Sequence, residues 1–191
     1  MSRDICVYLD FLTQEHQLRI QQAAQAAGFT PYFFTSDQFD QAKACLQHCE
    51  ILYGHAPALL RSAPATLKWC CTPTAGVDLY CADPTLFANP GCILTNSNGY
   101  GVTIAEHVVM VTLMLLRQMP TYLDCSARRA WGAPMPIRSI RDGAFTVLGT
   151  GNIGVNVAQR LHGMGAASVL GLSRSGRPAE SFDQVLPISC L

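Results

Sequence analysis

The sequence has little charge and no excess of either sign. Among its 191 residues, Lys and Arg number 13 and Asp and Glu number 13, so charged side chains make up 14% and the formal net charge is zero. Nucleic acids and anionic membrane surfaces are recognised by basic patches or stripes, and no segment supplies one. We therefore expect neither a nucleic acid nor a membrane among the partners of this protein.

Long hydrophobic runs and metal-binding spacings are also missing. The longest apolar stretch, residues 108–116, is far shorter than the roughly 18 residues of a membrane span, and the N-terminal segment lacks a signal-peptide pattern. The nine cysteines are scattered; Cys45 and Cys49 are expected to share a helical face, and no Cys-x-x-Cys pair predicts a metal site. These features predict no bound metal and a reduced, cytoplasmic protein.

Strand-like and helix-like segments alternate through the first half of the chain. Such alternation predicts a parallel sheet with helices on both faces. A turn-rich segment over residues 96–101 predicts a hinge. We therefore expect two domains, residues 1–98 and residues 99–191. The predicted strands of the first domain are 5–9, 32–34, 51–53, 67–71 and 93–95, and its main helices are 13–27 and 37–47.

The second half opens with a long apolar helix. Residues 103–106 (TIAE) have the pattern of a capping box, so Glu106 is interpreted as a helix cap and His107 as a first-turn residue, neither of them catalytic. A second helix is predicted over residues 120–131, followed by a connector rich in Pro and Arg.

The most informative segment is the glycine turn that follows this connector. A short apolar run enters Gly149, and a second run, residues 169–172, follows a helix-period segment. Strand, glycine turn, helix and strand in this order are typical of a dinucleotide-binding unit. In such a unit Gly149 allows the tight turn, Gly151 lets the backbone approach a pyrophosphate, and Gly154 lets the helix pack closely on the sheet.

The residues after the second apolar run indicate which dinucleotide binds. NAD-binding units place an acidic residue here, which accepts hydrogen bonds from the ribose 2′-hydroxyl. Residues 173–177 contain no acid. A guanidinium can bind a 2′-phosphate in a bidentate manner, and a hydroxyl can donate to it. We therefore favour NADP over NAD, with Arg174 as the main anchor and Ser173 or Arg177 assisting; the alternative is that these arginines are solvated loop charges.

Two loops of the first domain are candidates for ligand contact, because ligands of parallel sheets bind beyond the carboxyl ends of the strands. One contains His55, which is either a polar residue lining a cleft or an ordinary loop residue ahead of a helix. The other contains Ala75 and Gly76, whose small side chains leave backbone N–H groups open to an anion. An ordinary turn that starts a helix is the alternative for the second loop.

Several motifs together resemble one family. The segments 74–80 (TAGVDLY), 104–117 (IAEHVVMVTLMLLR) and 147–161 (VLGTGNIGVNVAQRL), together with Trp131, occur in this order. In combination they resemble the D-isomer-specific 2-hydroxyacid dehydrogenases, including the glyoxylate/hydroxypyruvate reductases. The resemblance implies a flavodoxin-like, parallel-sheet substrate domain and an incomplete Rossmann-type dinucleotide-binding domain.

The resemblance also implies an activity and a set of contacts. Members of the family are NAD(P)-dependent oxidoreductases that interconvert a small 2-oxo acid and its D-2-hydroxy acid. In them, backbone amides of the loop that matches Ala75 and Gly76 hold the substrate carboxylate, and residues that match Asn152 and Ile153 meet the cofactor pyrophosphate. The acidic position of NAD-using members is Ser173 here, which agrees with NADP.

The same resemblance implies a homodimer and a missing catalytic set. The family commonly dimerises through its dinucleotide domain, so the helix over residues 103–117 is the expected interface; the alternative is a core helix between the two domains. Its catalytic Arg, Glu and His lie beyond the second Rossmann strand, and no histidine of this sequence takes the catalytic position by motif. We therefore expect a C-terminally truncated, inactive chain with an open, apolar sheet edge, which is either poorly soluble or dependent on a partner. The alternatives are a non-catalytic dinucleotide-binding interaction module and an inactive remnant.

Overall fold

The computed structural model describes residues 3–83 and 85–190. The chain forms two compact units, the first ending at Asn98 and the second beginning at Gly99. Each unit has its own parallel sheet and its own cluster of buried side chains.

The first unit alternates strands and helices. Its elements are β1 (Arg3–Tyr8), α1 (Gln14–Ala26), β2 (Phe29–Phe34), α2 (Phe39–Leu46), β3 (Cys49–Gly54), α3 (Pro57–Leu60), β4 (Trp69–Cys71), α4 (Asp78–Cys81) and β5 (Ile93–Thr95). The five strands are parallel, in the order β2-β1-β3-β4-β5. This is the order of flavodoxin-like, doubly wound sheets, so the predicted α/β fold is confirmed.

Local sequence explains where these elements begin and end. The N–H of His16 donates to the Thr13 hydroxyl at 3.3 Å, which caps α1, and Gly28 ends the helical segment with a φ of +76°. In the core, Leu46 of α2 and Leu59 and Leu60 of α3 pack against the central strands. The strands contribute Leu52 of β3 and Cys70 of β4. Because β3 and β4 are parallel neighbours, the loops that follow them lie at one edge of the sheet.

Cys49 does not lie on a helix with Cys45. It is the first residue of β3, because α2 ends at Leu46. The two sulfur atoms are nevertheless 3.7 Å apart, and all nine cysteines are free thiols. Burial raises the pKa of the Cys6 and Cys70 thiols to about 12, which keeps them protonated and unreactive.

The second unit contains α5 (Gly101–Leu116), α6 (Met119–Ala127), β6 (Ala144–Leu148), α7 (Asn152–Gly163), β7 (Ser168–Ser173) and β8 (Gln184–Pro187). Its three strands are parallel, in the order β6-β7-β8. The unit β6-α7-β7 is the predicted strand, helix and strand around the glycine turn. Its core consists of Ala105, Ile140, Val157, Ala158, Leu161 and Val169.

Strand β8 is a third strand of this sheet, which was not predicted from the sequence. Asp183 fixes the new strand at its start, because its carboxylate accepts a hydrogen bond from the Val169 N–H at 2.6 Å and its own N–H donates to the Val169 carbonyl at 3.1 Å. The strand itself is only four residues long and ends at Pro187, so it has no strong signal in the sequence.

The predicted capping box of the long helix is wrong. Helix α5 begins at Gly101, so Thr103 lies within its first turn and donates its hydroxyl to the Tyr100 carbonyl at 3.3 Å. Glu106 instead forms an ion pair with Arg160 of α7 at 3.5 Å. The next helix is also shorter than the predicted 120–131: it ends at Ala127, and Arg129 has a φ of +50°.

Two features are missing from residues 3–83 and 85–190, a membrane-spanning helix and a metal-binding cluster. No single helix there is long and apolar enough to cross a membrane; α5 and α6 pass this test only when joined, and they are bent by 69°. Within the same residues, no group of three or more His, Cys, Asp or Glu side chains could hold a metal ion.

The start of α7 packs directly on the turn that precedes it. Gly149 has a φ of +99°, a conformation that favours glycine, and its N–H donates to the Leu172 carbonyl at 2.8 Å. A Cβ at Gly154 would overlap the carbonyl oxygen of Gly149. Because that oxygen belongs to the backbone, it cannot rotate away as a flexible side chain would.

Two glycines of α7 provide a matched test of this packing. We expect Gly154→Ala to lower the free energy of unfolding by about 1–3 kcal/mol, because overpacking outweighs the helix propensity gained. Gly163→Ala, at the other end of the helix, meets nothing within 4 Å and should raise it by up to about 1 kcal/mol. Urea denaturation followed by circular dichroism measures both. If both variants changed the free energy of unfolding in the same direction, the close contact between Gly154 and Gly149 would be contradicted.

Candidate dinucleotide and carboxylate sites

A cavity of about 750 Å³ opens at the carboxyl ends of β6 and β7. Five of the candidate cofactor residues lie along its walls. Its lining residues are Gly149, Thr150, Gly151, Ser173, Arg174, Ser175, Arg177, Pro178 and Ala179. The volume is within the range of small-molecule and cofactor sites.

The remaining three cofactor candidates begin helix α7 beside this cavity. Asn152, Ile153 and Gly154 are its first three residues, and Gly151 is the N-cap with no side-chain hydrogen bond to the helix. The first N–H groups of a helix have no partner within it, and the helix dipole favours an anion there. This geometry suits a phosphate group.

The far side of the cavity is a loop with two exposed arginines. Among the residues that the structure describes, no carboxylate forms an ion pair with Arg174 or Arg177. The Ser173 hydroxyl accepts a hydrogen bond from the Gly176 N–H at 3.1 Å, which leaves its own proton available to a ligand. The Ser175 hydroxyl accepts similarly from the Arg177 N–H at 3.4 Å.

Four lining residues were not among the sequence-based candidates. Thr150 lies between two motif glycines, and Ser175, Pro178 and Ala179 continue the arginine loop. Their only signal in the sequence is adjacency to the predicted contacts, since none has a residue type that marks a dinucleotide site.

In the first unit, Ala75 and Gly76 lie in an exposed turn after β4. Three carbonyls of this turn are bound. The Thr74 carbonyl accepts from the Ser97 N–H at 3.1 Å, the Ala75 carbonyl from Asn96 Nδ2 at 2.7 Å, and the Gly76 carbonyl from the Thr74 hydroxyl at 3.0 Å.

The N–H groups of the same turn remain open. No described residue accepts a hydrogen bond from the N–H of Ala75, Gly76 or Val77. The carbonyl of one residue and the N–H of the next belong to the same planar, trans peptide unit and point in opposite directions. A hydrogen bond that fixes the carbonyl therefore also fixes the direction of that N–H. Three successive N–H groups are thereby held in place, an arrangement that can bind an anion.

His55 lies near this turn, after β3. Its Nδ1 is 3.2 Å from the hydroxyl oxygen of Tyr80, and the two rings meet edge to face with centroids 5.7 Å apart. Tyr80 is 2% exposed, and sequence reasoning gave it no role. The His55 ring itself is exposed at the carboxyl edge of the sheet.

Comparison with known proteins identifies relatives of both units. Residues 109–188 match the family model of the D-isomer specific 2-hydroxyacid dehydrogenase, NAD binding domain. A D-lactate dehydrogenase of Staphylococcus epidermidis is 32% identical over 99 residues, which are 50% of this chain and 29% of that protein.

Solved structures of the same family cover the whole described fold. A D-isomer specific 2-hydroxyacid dehydrogenase family protein from Aeromonas salmonicida is 28% identical, with a TM-score of 0.76 over 100% of this chain and 59% of that one. An NADPH-dependent glyoxylate/hydroxypyruvate reductase from Sinorhizobium meliloti, solved with NADP and sulfate, is 25% identical, with a TM-score of 0.68 over 99% of this chain and 57% of that one.

The chain thus spans less than two thirds of the length of these relatives. The family resemblance predicted from the sequence is confirmed by the matched segment and by both structures. The chain is therefore a relative of the D-isomer specific 2-hydroxyacid dehydrogenases and carries sequence of their NAD binding domain.

Proposed function

We propose that this chain supplies the cofactor-binding and carboxylate-binding groups of an NADP-preferring oxidoreductase that interconverts a small 2-oxo acid and its D-2-hydroxy acid. Residues 1–98 form the substrate domain in this proposal, and residues 99–191 form the first part of the NAD(P)-binding domain. The observation that carries it is the cavity at the glycine turn, which brings together Gly149, Gly151, Ser173, Arg174 and Arg177.

The residues present fit a dinucleotide. Gly149 and Gly151 leave the cavity wall without side chains, and beyond the adjacent residues of the chain no described heavy atom lies within 4 Å of where a Cβ would stand at either position. The N–H groups of Asn152, Ile153 and Gly154 would receive the pyrophosphate. A bound NADPH would supply the hydride for reduction of a 2-oxo acid.

The loop after β7 favours a phosphorylated ribose. The guanidinium groups of Arg174 and Arg177 would bind the 2′-phosphate, and the Ser173 hydroxyl has a proton to donate to it. Residues 173–177 contain no carboxylate that could accept a hydrogen bond from the ribose 2′-hydroxyl of NAD. NADP is therefore the expected cofactor and NAD the weaker one.

Calorimetry with NADPH and NADH tests this assignment. We expect Arg174→Asp to weaken NADPH binding roughly 10- to 100-fold, because a charged hydrogen bond is lost and a carboxylate faces the phosphate. NADH binding should change less than about threefold, since the 2′-phosphate is absent. Arg19→Asp, on α1 of the first unit, makes the same change in net charge.

The control variant should bind both nucleotides like the wild type. Equal affinities of the wild-type protein for NADPH and NADH would overturn the preference for NADP. An unchanged NADPH affinity in Arg174→Asp would remove Arg174 from the site.

The turn at Ala75 and Gly76 would hold the substrate carboxylate. No described residue accepts a hydrogen bond from its N–H groups, and its carbonyls are bound, so the positive ends of its peptide dipoles are available to an anion. His55, at the same edge of the sheet, would contact the substrate from the neighbouring loop. Catalytic proton transfer is assigned to no residue of this chain.

An assay with NADPH and glyoxylate or hydroxypyruvate separates an enzyme from a binding module. NADPH binding without turnover is the result expected of this chain by itself, and it is also the behaviour of a non-catalytic dinucleotide-binding module. Turnover by the 191-residue chain would show that it contains its own proton donor. The nine free thiols agree with a reducing compartment such as the cytoplasm.

Helix α5 is the proposed surface for a homodimer. Most of its outward residues are large and apolar, whereas Gly101 and Ala105 are the buried ones. Ile104, Val108, Val111 and Leu115 recur at intervals of three or four residues, so they form one exposed apolar stripe along the helix. An exposed apolar helix face is typical of an association surface. Val102 and Met110 are also exposed, as are the polar Thr103, Glu106 and His107.

A charge at this surface should shift the oligomeric state. Leu115 is 62% exposed, and we expect Leu115→Lys to weaken dimerisation at least about tenfold, because an unpaired charge would be buried. Leu18→Lys is the matched control, since Leu18 is 54% exposed on α1. Sedimentation velocity across a concentration series measures both. A monomeric wild type, or equal dimerisation of Leu115→Lys and wild type, would contradict the interface.

A further inference from the structure

The arginine loop, residues 174–179, folds over the end of the neighbouring strand. Ser173, the last residue of β7, is paired with Pro187, the last residue of β8. Gly176 lies against the same proline: a Cβ at Gly176 would be 2.7 Å from Pro187 Cδ and 2.8 Å from the Pro187 nitrogen. No side chain fits at such distances, so the loop can rest on β8 only because residue 176 is glycine.

The atoms that Gly176 contacts cannot move aside easily. The Pro187 ring is closed onto its own backbone nitrogen, so it has no flexible end that could rotate away. Pro187 also belongs to a strand that is hydrogen-bonded along β7. A side chain at residue 176 would therefore displace the arginine loop rather than the proline.

The backbone conformation of Gly176 has the same requirement. Its φ is +64°, in the left-handed region that favours glycine. In this conformation the Gly176 N–H donates to the Ser173 hydroxyl oxygen at 3.1 Å, which closes the loop onto the end of β7. The next N–H, that of Arg177, donates to the Ser175 hydroxyl oxygen at 3.4 Å. Both N–H groups are bonded within the loop, so this part of it offers an anion guanidinium groups and hydroxyl protons.

Gly176 does not itself line the cavity. Its neighbours Arg174, Ser175 and Arg177 are lining residues, whereas Gly176 and Pro187 are not. A nucleotide in the cavity would therefore contact the residues on either side of Gly176 and not Gly176 itself. Because the two arginines flank residue 176, a displacement of the loop at that residue would move both guanidinium groups.

We propose that Gly176 is a positioning residue for the 2′-phosphate of NADP: its close packing on Pro187 holds the guanidinium groups of Arg174 and Arg177 at the cavity wall. This role rests on the proposed function of that cavity. The preference for NADP then depends on a contact with β8 that the cofactor does not touch.

Calorimetry of the full chain with NADPH and NADH tests this role. Gly176→Ala should weaken NADPH binding roughly five- to fiftyfold, because charged hydrogen bonds to the 2′-phosphate are lost or lengthened. NADH affinity should change less than about threefold, since NADH has no phosphate for the arginines to bind. Retained NADH binding also shows that the variant is folded and that its glycine turn is intact.

Two further variants separate the contact with Pro187 from backbone strain. Gly165 has a φ of +83°, and a Cβ there would make only ordinary contacts with Arg141, the nearest at 3.5 Å. Gly165→Ala should lower the free energy of unfolding and keep the wild-type ratio of NADPH to NADH affinity. Asn tolerates a left-handed φ but carries a Cβ, so Gly176→Asn should weaken NADPH binding about as much as Gly176→Ala.

Amide hydrogen exchange tests the packing without any ligand. Relative to an unstructured peptide of the same sequence, exchange at residues 176 and 177 should become at least about tenfold faster in Gly176→Ala, because their bonds to the serine hydroxyls are broken. Exchange at Val169, whose N–H donates to Asp183 at the opposite end of β7, should stay at the wild-type rate. Wild-type exchange at residues 176 and 177 in the variant would overturn the packing.

Failure of this role and failure of the proposed function give different results. Wild-type protein that binds NADPH and NADH equally, or binds neither, would overturn the proposed cofactor preference and with it the role of Gly176. A wild-type preference for NADPH that persists in Gly176→Ala would overturn only the role of Gly176, as would equal losses of NADPH and NADH affinity. Wild-type NADPH affinity in Gly176→Asn would overturn the contact with Pro187.

Discussion

The second unit depends on how closely helix α7 can approach the turn that precedes it. The Gly149 carbonyl fills the space that a side chain at Gly154 would need, so the first turn of the helix rests on the backbone. The helix begins at Asn152, directly after the lining residues Gly149, Thr150 and Gly151. The arginine loop after β7 then faces the same cavity, because β6 and β7 are adjacent parallel strands.

Both candidate sites use the same physical device. In each, backbone N–H groups are the groups proposed to bind an anion. At α7 this results from the ordinary geometry of a helix start. At the Ala75–Gly76 turn it needs dedicated donors, namely Ser97, Asn96 and the Thr74 hydroxyl. In the proposed function, the fold would present fixed positive dipoles to two anionic groups, the cofactor phosphates and the substrate carboxylate.

The elements that could be predicted are those determined by residues close together in the sequence. The glycine spacing predicted the turn and α7, and alternating segments predicted the parallel sheet of the first unit. The start of α5 was not predictable, because Thr103 and Glu106 imitate a cap while Glu106 actually pairs with Arg160, 54 residues away along the chain. The pairing of His55 with Tyr80 and the anchoring of β8 by Asp183 likewise join distant segments, and periodicity carries no information about such contacts.

Asp183 has one more consequence for the second unit. Its carboxylate accepts from the Val169 N–H and lies 3.4 Å from His162 Nε2, so it ties together the end of α7, the start of β7 and the entry to β8. All three meet at the amino edge of the sheet, opposite the cavity. The sheet is therefore clamped at one end and open at the other. Under the proposed function, structural adjustment to a dinucleotide would therefore fall on the glycine turn and the arginine loop, because the opposite ends of α7, β7 and β8 are tied together by Asp183.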